Sequence, residues 1–284
     1  MKVVLTGAQG GVGTIVSQIA ASQNDIDLAA FSREKLDITD PDALMSCFMH
    51  EKPDYVINAA AFTHVDKAEE DPQTAYRLNA DCLEGMIKAS EKTRTVIIHL
   101  STDYVFDGKK DKPYTEEDET SPVNVYGASK RAGELKVLAY PRGVVVRTSW
   151  VYSRHSRNFL AAVPGLLGTQ TGPLYVDAFQ KNSPTYAPDL VDALFCLMKD
   201  RIDSGLFHYT NSGGGCSRYI FAQKVRDLIQ KKDPAFVPVP VLPIETGYPE
   251  GAPRPVYTVM SPQKISQLPG VRVPHWQEGI EHII

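Results

Sequence analysis

Cysteine is scarce in these 284 residues, and Cys47, Cys82, Cys196 and Cys216 stand 35, 114 and 20 residues apart. That matches neither a zinc knuckle nor a redox pair, so they read as reduced thiols of a cytoplasmic protein. A basic excess is missing too. Thirty Lys and Arg face 34 Asp and Glu for a net charge of −4, and no Lys/Arg run exceeds a pair, which argues against a nucleic-acid partner. Nothing approaches the run of about 20 uncharged apolar residues that crosses a bilayer, so no membrane role is expected. The short run behind Met1 and Lys2 meets Gly7 too soon for the apolar segment of a secretory signal. The histidines have no metal-ligand spacing, so no metal is expected. What is present, 43% hydrophobic and 23% charged residues, is an ordinary globular composition at a length for about two domains.

Short β-branched runs alternate with helical patterns through the first half. Strands are expected at Lys2 to Thr6, Asp27 to Phe31, Tyr55 to Ala59, Thr95 to Ser101 and Gly143 to Arg147. Helices are expected over Thr14 to Ala21, Pro41 to Met49, Thr74 to Glu91 and Tyr126 to Leu138. Strands apolar on both faces and separated by helices predict an α/β fold with a doubly wound parallel sheet of the Rossmann kind. After Trp150 the alternation loosens. Helical patterns recur over Asn158 to Leu167, Pro188 to Lys199 and Ser217 to Lys231, with a strand at Gly205 to Tyr209. Seven prolines between Pro234 and Pro255 predict an extended connection. The expected division is 1–150, a dinucleotide-binding domain, and 151–284, mainly a smaller substrate-binding region packed on the first without a flexible linker.

Gly7, Gln9, Gly10, Gly11, Val12 and Gly13 form a glycine turn between the first strand and first helix. Missing side chains let a pyrophosphate approach the amides of a helix N-terminus, whose dipole favours anions. The second strand runs on into Ser32 and Arg33 with no carboxylate at its tip. Arg33 suits a 2′-phosphate by charge and fork geometry, favouring NADPH over NADH. Asp37, beside Ile38, either faces the adenine or caps the helix beginning after Pro41.

Tyr126 and Lys130 share one helix face at i,i+4 spacing. A cation beside the phenol is expected to lower its pKa from about 10 and make Tyr126 a usable general acid. Ser101 or Thr102, at the tip of the fourth strand, can hydrogen-bond a carbonyl oxygen there, and Thr102 is preferred.

Together with the segments Leu36 to Asp40, Asn58 to Glu69, Ser101 to Gly108, Asn124 to Gly127, Arg147 to Tyr152 and Asn158-Phe159, these features resemble the extended short-chain dehydrogenase/reductases, most closely the dTDP-4-dehydrorhamnose reductase family. The resemblance spans nearly the whole chain. It implies Thr102, Tyr126 and Lys130 as the catalytic trio, with Lys130 also on the nicotinamide ribose. Ala59, Ala60 and Ala61 would line the nicotinamide side, and Asp103, Tyr104, Trp150 and Asn158 the sugar-nucleotide side. Arg254 would meet a nucleotide phosphate or stand solvated. The implied reaction is reduction of a dTDP-4-keto-6-deoxyhexose by NADPH, from dTDP-4-dehydrorhamnose to dTDP-rhamnose, with a small-molecule nucleotide sugar as partner and a homodimer by analogy with the wider superfamily. Two segments depart from the family pattern. D-Q-x-G-x-P-T reads here Phe179 to Thr185, with Asn182 at the glycine, and R-P-x-x-S-x-L reads Arg254 to Met260, with Thr258 at the serine. The competing readings are a non-catalytic regulatory subunit and a nucleotide-sugar epimerase or dehydratase.

Overall fold

A computed structural model describes residues 1–154, 158–246 and 251–284. The first half comprises β1 (Lys2–Thr6), α1 (Gly11–Ala20), β2 (Asp27–Phe31), α2 (Pro41–Glu51), β3 (Tyr55–Asn58), α3 (Val65–Glu70), α4 (Pro72–Tyr76), α5 (Cys82–Thr93), β4 (Val96–Thr102), α6 (Val125–Ala139) and β5 (Gly143–Thr148). Then follow β6 (Val151–Tyr152), α7 (Phe159–Thr169), β7 (Leu174–Asp177), β8 (Thr185–Tyr186), α8 (Ala187–Lys199), β9 (Gly205–His208), α9 (Arg218–Lys232), β10 (Val241–Ile244) and α10 (Trp276–Glu281).

Six strands form one parallel sheet in the order β2-β1-β3-β4-β5-β9. Every residue of β3, β4 and β5 is buried, as expected where helices cover both faces. One face packs Val3, Leu5 and Ile98 against α1 and α8; the other packs Val4, Val56 and Ile97 against α2 and α5. The strand order reverses between β1 and β3, and a crevice opens there beyond the carboxyl ends, where such sheets hold ligands. A second body is built on β7 paired with β10 and on α7 and α9, whose Leu160, Val163, Phe221 and Val225 share a core with Trp276.

The division at residue 150 follows the chain more closely than it follows the layers. β9 pairs with β5, and α8 packs on α1, so residues 187–208 complete the first body. The continuous helix expected from Thr74 to Glu91 is interrupted by a π-helical turn over Arg77–Asp81. Its cause is tertiary. Asn79 there accepts from Phe62 N–H at 2.8 Å and donates to Phe62 O and Ser129 Oγ, both at 3.0 Å, pinning the loop after β3 against α6. π turns of this sort gather at functional sites. The proline-rich stretch is extended where described, with β10 as its paired part; residues 247–250 of it lie outside the described residues.

Candidate active site

The glycine turn does what its sequence requires. Gly7 takes φ +74°, and a methyl at Gly13 would stand 2.2 Å from the Gly7 carbonyl oxygen. Gly10 is the N-cap of α1 with no side-chain cap, and the first turn carries no acidic residue. The amides of this ten-residue helix therefore face outward as an anion site. Gly7, Gln9, Gly10, Ser32, Arg33, Asp37, Ile38 and Ala59 to Ala61 line one cavity of about 260 Å³. Gly13 is buried behind it. Arg33 is exposed beside Asp37, and its charge helps hold the Asp37 carboxyl below the usual range, after the stronger bonds from Thr39 N–H and Oγ1. Asp37 thus closes a local turn. The cap of α2 is Asp40, which accepts from Asp42 and Ala43 N–H, correcting the alternative that gave this cap to Asp37.

The adjoining cavity, about 480 Å³, shares Gly10, Ala59 and Ala61 with the first and adds Gly11, Val12, Thr102, Asp103, Tyr126, Lys130, Trp150 and Asn158. The structure therefore brings the predicted trio together beside the glycine turn. Asn124 caps α6 by accepting from Gly127 N–H, and Gly127 lies against the Tyr104 carbonyl, where an added methyl would come within 2.1 Å. These contacts seat the start of α6 on the tip of β4. Thr102 Oγ1 accepts from Tyr104 N–H at 3.1 Å, donates to Asp103 Oδ1 at 3.1 Å and meets the Tyr126 hydroxyl.

The electrostatics differ from the sequence expectation. Burial raises the Tyr126 pKa, opposed by the Thr102 hydrogen bond, and Lys130 is not among the groups acting on it. Lys130 Nζ instead donates to the Leu100 carbonyl at 2.6 Å and lies 3.1 Å from His99 Nε2. Burial lowers Lys130 to about 8, opposed by Glu134. The phenol is thus a firmly protonated acid. Ser101 Oγ and Thr148 Oγ1, on neighbouring tips of β4 and β5, are buried in the same cavity wall and have no hydrogen-bond partner among the described residues. Unspent buried hydroxyls beside an open helix N-terminus suit a polar, anionic ligand such as a dinucleotide.

On the substrate side, Asp103 lines the cavity but turns its carboxylate inward, where Ser149 Oγ and Asn182 Nδ2 donate to Oδ2 at 2.8 Å and Thr258 Oγ1 joins them. Desolvation raises its pKa against all these bonds. Tyr104 is buried edge-on to Tyr126, ring centroids 5.9 Å apart. Trp150 takes φ +40°, a left-handed conformation costly outside glycine and typical of functional positions. Among the described residues its buried indole Nε1 has no partner, and the Arg218 guanidinium lies over its ring at 4.7 Å. Asn158 caps α7 through Ala161 N–H and donates to the Val151 carbonyl. Arg254 stands apart from the trio, in a cavity of about 590 Å³ with Arg218, Tyr175 and Asp66, and pairs with Asp66 Oδ2 at 2.6 Å.

Sequence reasoning missed Arg218 and His99. Arg218 follows the N-cap Ser217 of α9 and is held by Asp177 and Gln180, contacts that no local pattern announces. His99 lies in the apolar run of β4, and only its alternation with Ile98 and Leu100 in a fully buried strand marks it as unusual. Among the described residues, no three His, Cys, Asp or Glu side chains are disposed to hold a metal, and no helix is long and apolar enough to cross a membrane.

The whole chain, residues 1–284, matches the family described as RmlD substrate binding domain. It is 38% identical to a dTDP-4-dehydrorhamnose reductase of Mycolicibacterium smegmatis over all of this chain and 85% of that protein. It is 34% identical to the spore coat polysaccharide biosynthesis protein SpsK of Bacillus subtilis over all of this chain and 96% of that protein. Its fold superposes on a crystal structure of dTDP-4-dehydrorhamnose reductase from Bacillus anthracis in complex with NADP, with a TM-score of 0.90, 32% identity, and coverage of 99% of this chain and 98% of that one. Sequence, fold and the joined cavities agree, and the chain belongs to the dTDP-4-dehydrorhamnose reductase family.

Proposed function

We propose that this protein is an NADPH-dependent reductase of a nucleotide-linked 4-keto-6-deoxy sugar, converting dTDP-4-dehydrorhamnose to dTDP-rhamnose. The observation that carries this reading is the meeting of Thr102, Tyr126 and Lys130 in one cavity that runs on into the glycine turn. Bound NADPH supplies the hydride. The chain's part is to hold and time a proton. Tyr126, kept protonated by burial, donates to the oxygen of the C4 carbonyl as negative charge develops there. Thr102, held by Tyr104 N–H and with its one hydrogen resting on Asp103 in the ligand-free protein, turns that hydrogen to the same oxygen when substrate binds. Ala59 to Ala61 support the nicotinamide side, and Arg33 with Ser32 receives the 2′-phosphate. Trp150, with Arg218 stacked on it, and Tyr104 shape the sugar side, and Arg254 with Arg218 supplies positive charge for the diphosphate.

Residues 151–284 thereby carry mainly the substrate and 1–150 mainly the cofactor. The cytoplasm is the proposed compartment, supported by four unpaired cysteines. A homodimer is proposed on analogy with the superfamily, to be checked by sedimentation. Purified protein is expected to consume NADPH absorbance when given the dTDP-4-keto-6-deoxy sugar. Tyr126→Phe is expected to lose about 10³-fold in kcat while keeping NADPH affinity. Full activity in that variant removes Tyr126 from the chemistry. Tight cofactor binding without turnover on any keto sugar, together with a stable protein partner, would favour the regulatory reading.

A further inference from the structure

Arg147 is among the largest side chains of the interior, 1% exposed, and sits on β5 in register with Ser101 of β4 and His208 of β9. Its Nε donates to Glu134 Oε1 and its Nη2 to Glu134 Oε2, both at 2.8 Å. Its Nη1 lies 3.3 Å from His208 Nε2, and the guanidinium stands over the Phe106 ring at 5.1 Å. Arg131 Nη1 adds a further bond to Glu134 Oε2 at 3.1 Å. A pair buried this deeply adds little to stability, since apolar side chains of similar volume often serve a fold as well. Its place on α6 points to another use.

Glu134 stands four residues after Lys130 on the same helix, and both are buried. Side chains at that spacing are neighbours, and a carboxylate there ordinarily draws the ammonium into an ion pair along the helix. Burial strengthens the attraction, because little water screens it. Here the pair does not form. Among the described residues Lys130 has no ion-pair partner, although the charge of Glu134 reaches it. Both carboxylate oxygens are taken by the two arginines. Lys130 Nζ reaches across to β4 instead, donating to the Leu100 carbonyl at 2.6 Å in the wall of the cavity that Tyr126 and Thr102 share.

We propose that Arg147 is a positioning residue for Lys130: by engaging both oxygens of Glu134 it keeps that carboxylate from capturing the ammonium, and so leaves Nζ to face the active-site cavity. The inference rests on the assignment of Lys130 to the catalytic set. Glu134 still acts at a distance. Burial takes Lys130 down to about 8 and the Glu134 charge opposes it, so the nitrogen is mostly an ammonium at neutral pH. The other groups around it carry no charge. Burial takes His99 on β4 well below the ordinary imidazole range, pushes the Cys82 thiol at the start of α5 up to about 12, and keeps Tyr126 protonated. Behind the clamp, burial and then Arg147 itself lower His208 to about 3, which leaves it a neutral acceptor for Nη1. Glu116, beside it, accepts from the His208 backbone N–H at 2.7 Å.

A consequence is that the sheet, and not the helix, sets where the lysine points. Arginine can do this where lysine cannot. Its planar fork satisfies two carboxylate oxygens at once, whereas an ammonium in its place leaves one of them open. Arg147 stands beside the β4 tip that carries Ser101 and Thr102, which ties the clamp to the strand ends at the cavity.

The test is NMR on ligand-free protein carrying ¹³C-lysine, with kcat and NADPH affinity measured beside it. In the wild type Lys130 is expected to titrate about two units below ordinary lysines. Titration together with the other lysines would mean that it is already paired, and overturns the proposal. Arg147→Met frees Glu134, so the Lys130 midpoint is expected to rise by about one unit or more. NADPH affinity is expected to fall about tenfold and kcat about 10²-fold as Nζ turns away. Removing the freed carboxylate as well, with Glu134→Leu in the same chain, is expected to return the midpoint to the wild-type value or below and to recover most of kcat. Stability follows the same order, because an unpaired buried carboxylate is costly in itself, so the lysine midpoint decides. A midpoint that fails to rise in Arg147→Met, or stays raised in the double variant, overturns the proposal. If Arg147→Met does not fold, Arg147→Lys keeps a cation in place and opens one oxygen. A smaller rise is expected there, and no rise overturns the proposal. These spectra need neither cofactor nor substrate. A protein inert toward the keto sugar would sink the reductase reading and leave the clamp standing.

Discussion

Seven consecutive residues, Gly7 to Gly13, make the turn at the open end of α1, whereas the carboxylate of Asp103 draws its donors from Thr102, Ser149, Asn182 and Thr258, as far as 155 residues along the chain. The first device is local: strand, turn and helix follow one another, and backbone amides do the work. The second exists only once the later half of the chain has folded against the first, because Asn182 and Thr258 come from beyond residue 150. Both lie where this chain departs from its family's pattern, Asn182 for glycine and Thr258 for serine. The departures therefore bear on the support beneath Thr102, and Asn182 adds an amide donor that glycine does not have. A local motif can be altered without disturbing the far half, while a cradle assembled from distant residues couples changes around Asn182 and Thr258 to the Thr102 hydroxyl.

The largest expected effect tests the local side. Gly13→Ala forces a methyl onto the Gly7 carbonyl and is expected to cost about 3 kcal/mol in urea unfolding, along with NADPH affinity. Unchanged stability would mean that the turn has room to yield. Asn182→Ala takes one donor from a buried carboxylate, and about 2 kcal/mol of stability should go with it, together with several-fold of kcat through Thr102. A loss of stability with kcat intact would confine the cradle to folding.

The same carboxylate has a pH signature. Its pKa is raised in the folded protein, so the folded state holds the proton longer than the unfolded chain does. Stability on this account is full below the ordinary carboxylate pKa and falls as pH rises through the raised value. Asp103→Asn should lack that fall, as denaturation midpoints compared across acidic to neutral pH would show. The smallest effect belongs to Arg33→Ala, expected to reduce the preference for NADPH over NADH about tenfold, near 1.4 kcal/mol. Coenzyme competition assays showing no change would remove Arg33 from cofactor choice.

The sheet was legible because each strand is a short apolar run ended by glycine or polar residues, and β1 and β2 fall where the pattern puts them. That Tyr126 and Lys130 line one cavity was legible because tyrosine and lysine four apart on a helix face, after a fourth strand, is itself a local pattern. What stayed hidden was long-range. The π turn at Arg77–Asp81 answers to Phe62 and Ser129, so helical periodicity over Thr74 to Glu91 gives no sign of it. The Tyr126 pKa moves up where a neighbouring cation is expected to lower it, because spacing reports proximity along a helix and says nothing of burial. Lys130 was drawn to His99 and the Leu100 carbonyl on β4, partners that its own helix does not specify.

The return of α8 and β9 to the sheet bears on how such proteins can be recombined. A crossover placed after residue 150 would strip β5 of its outer neighbour and uncover α1, leaving a raw, sticky edge on the donor fragment. Residues 1–150 are therefore not a cassette. Grafting a new second body onto residues 1–150 succeeds only if the stretch 187–208 stays with them.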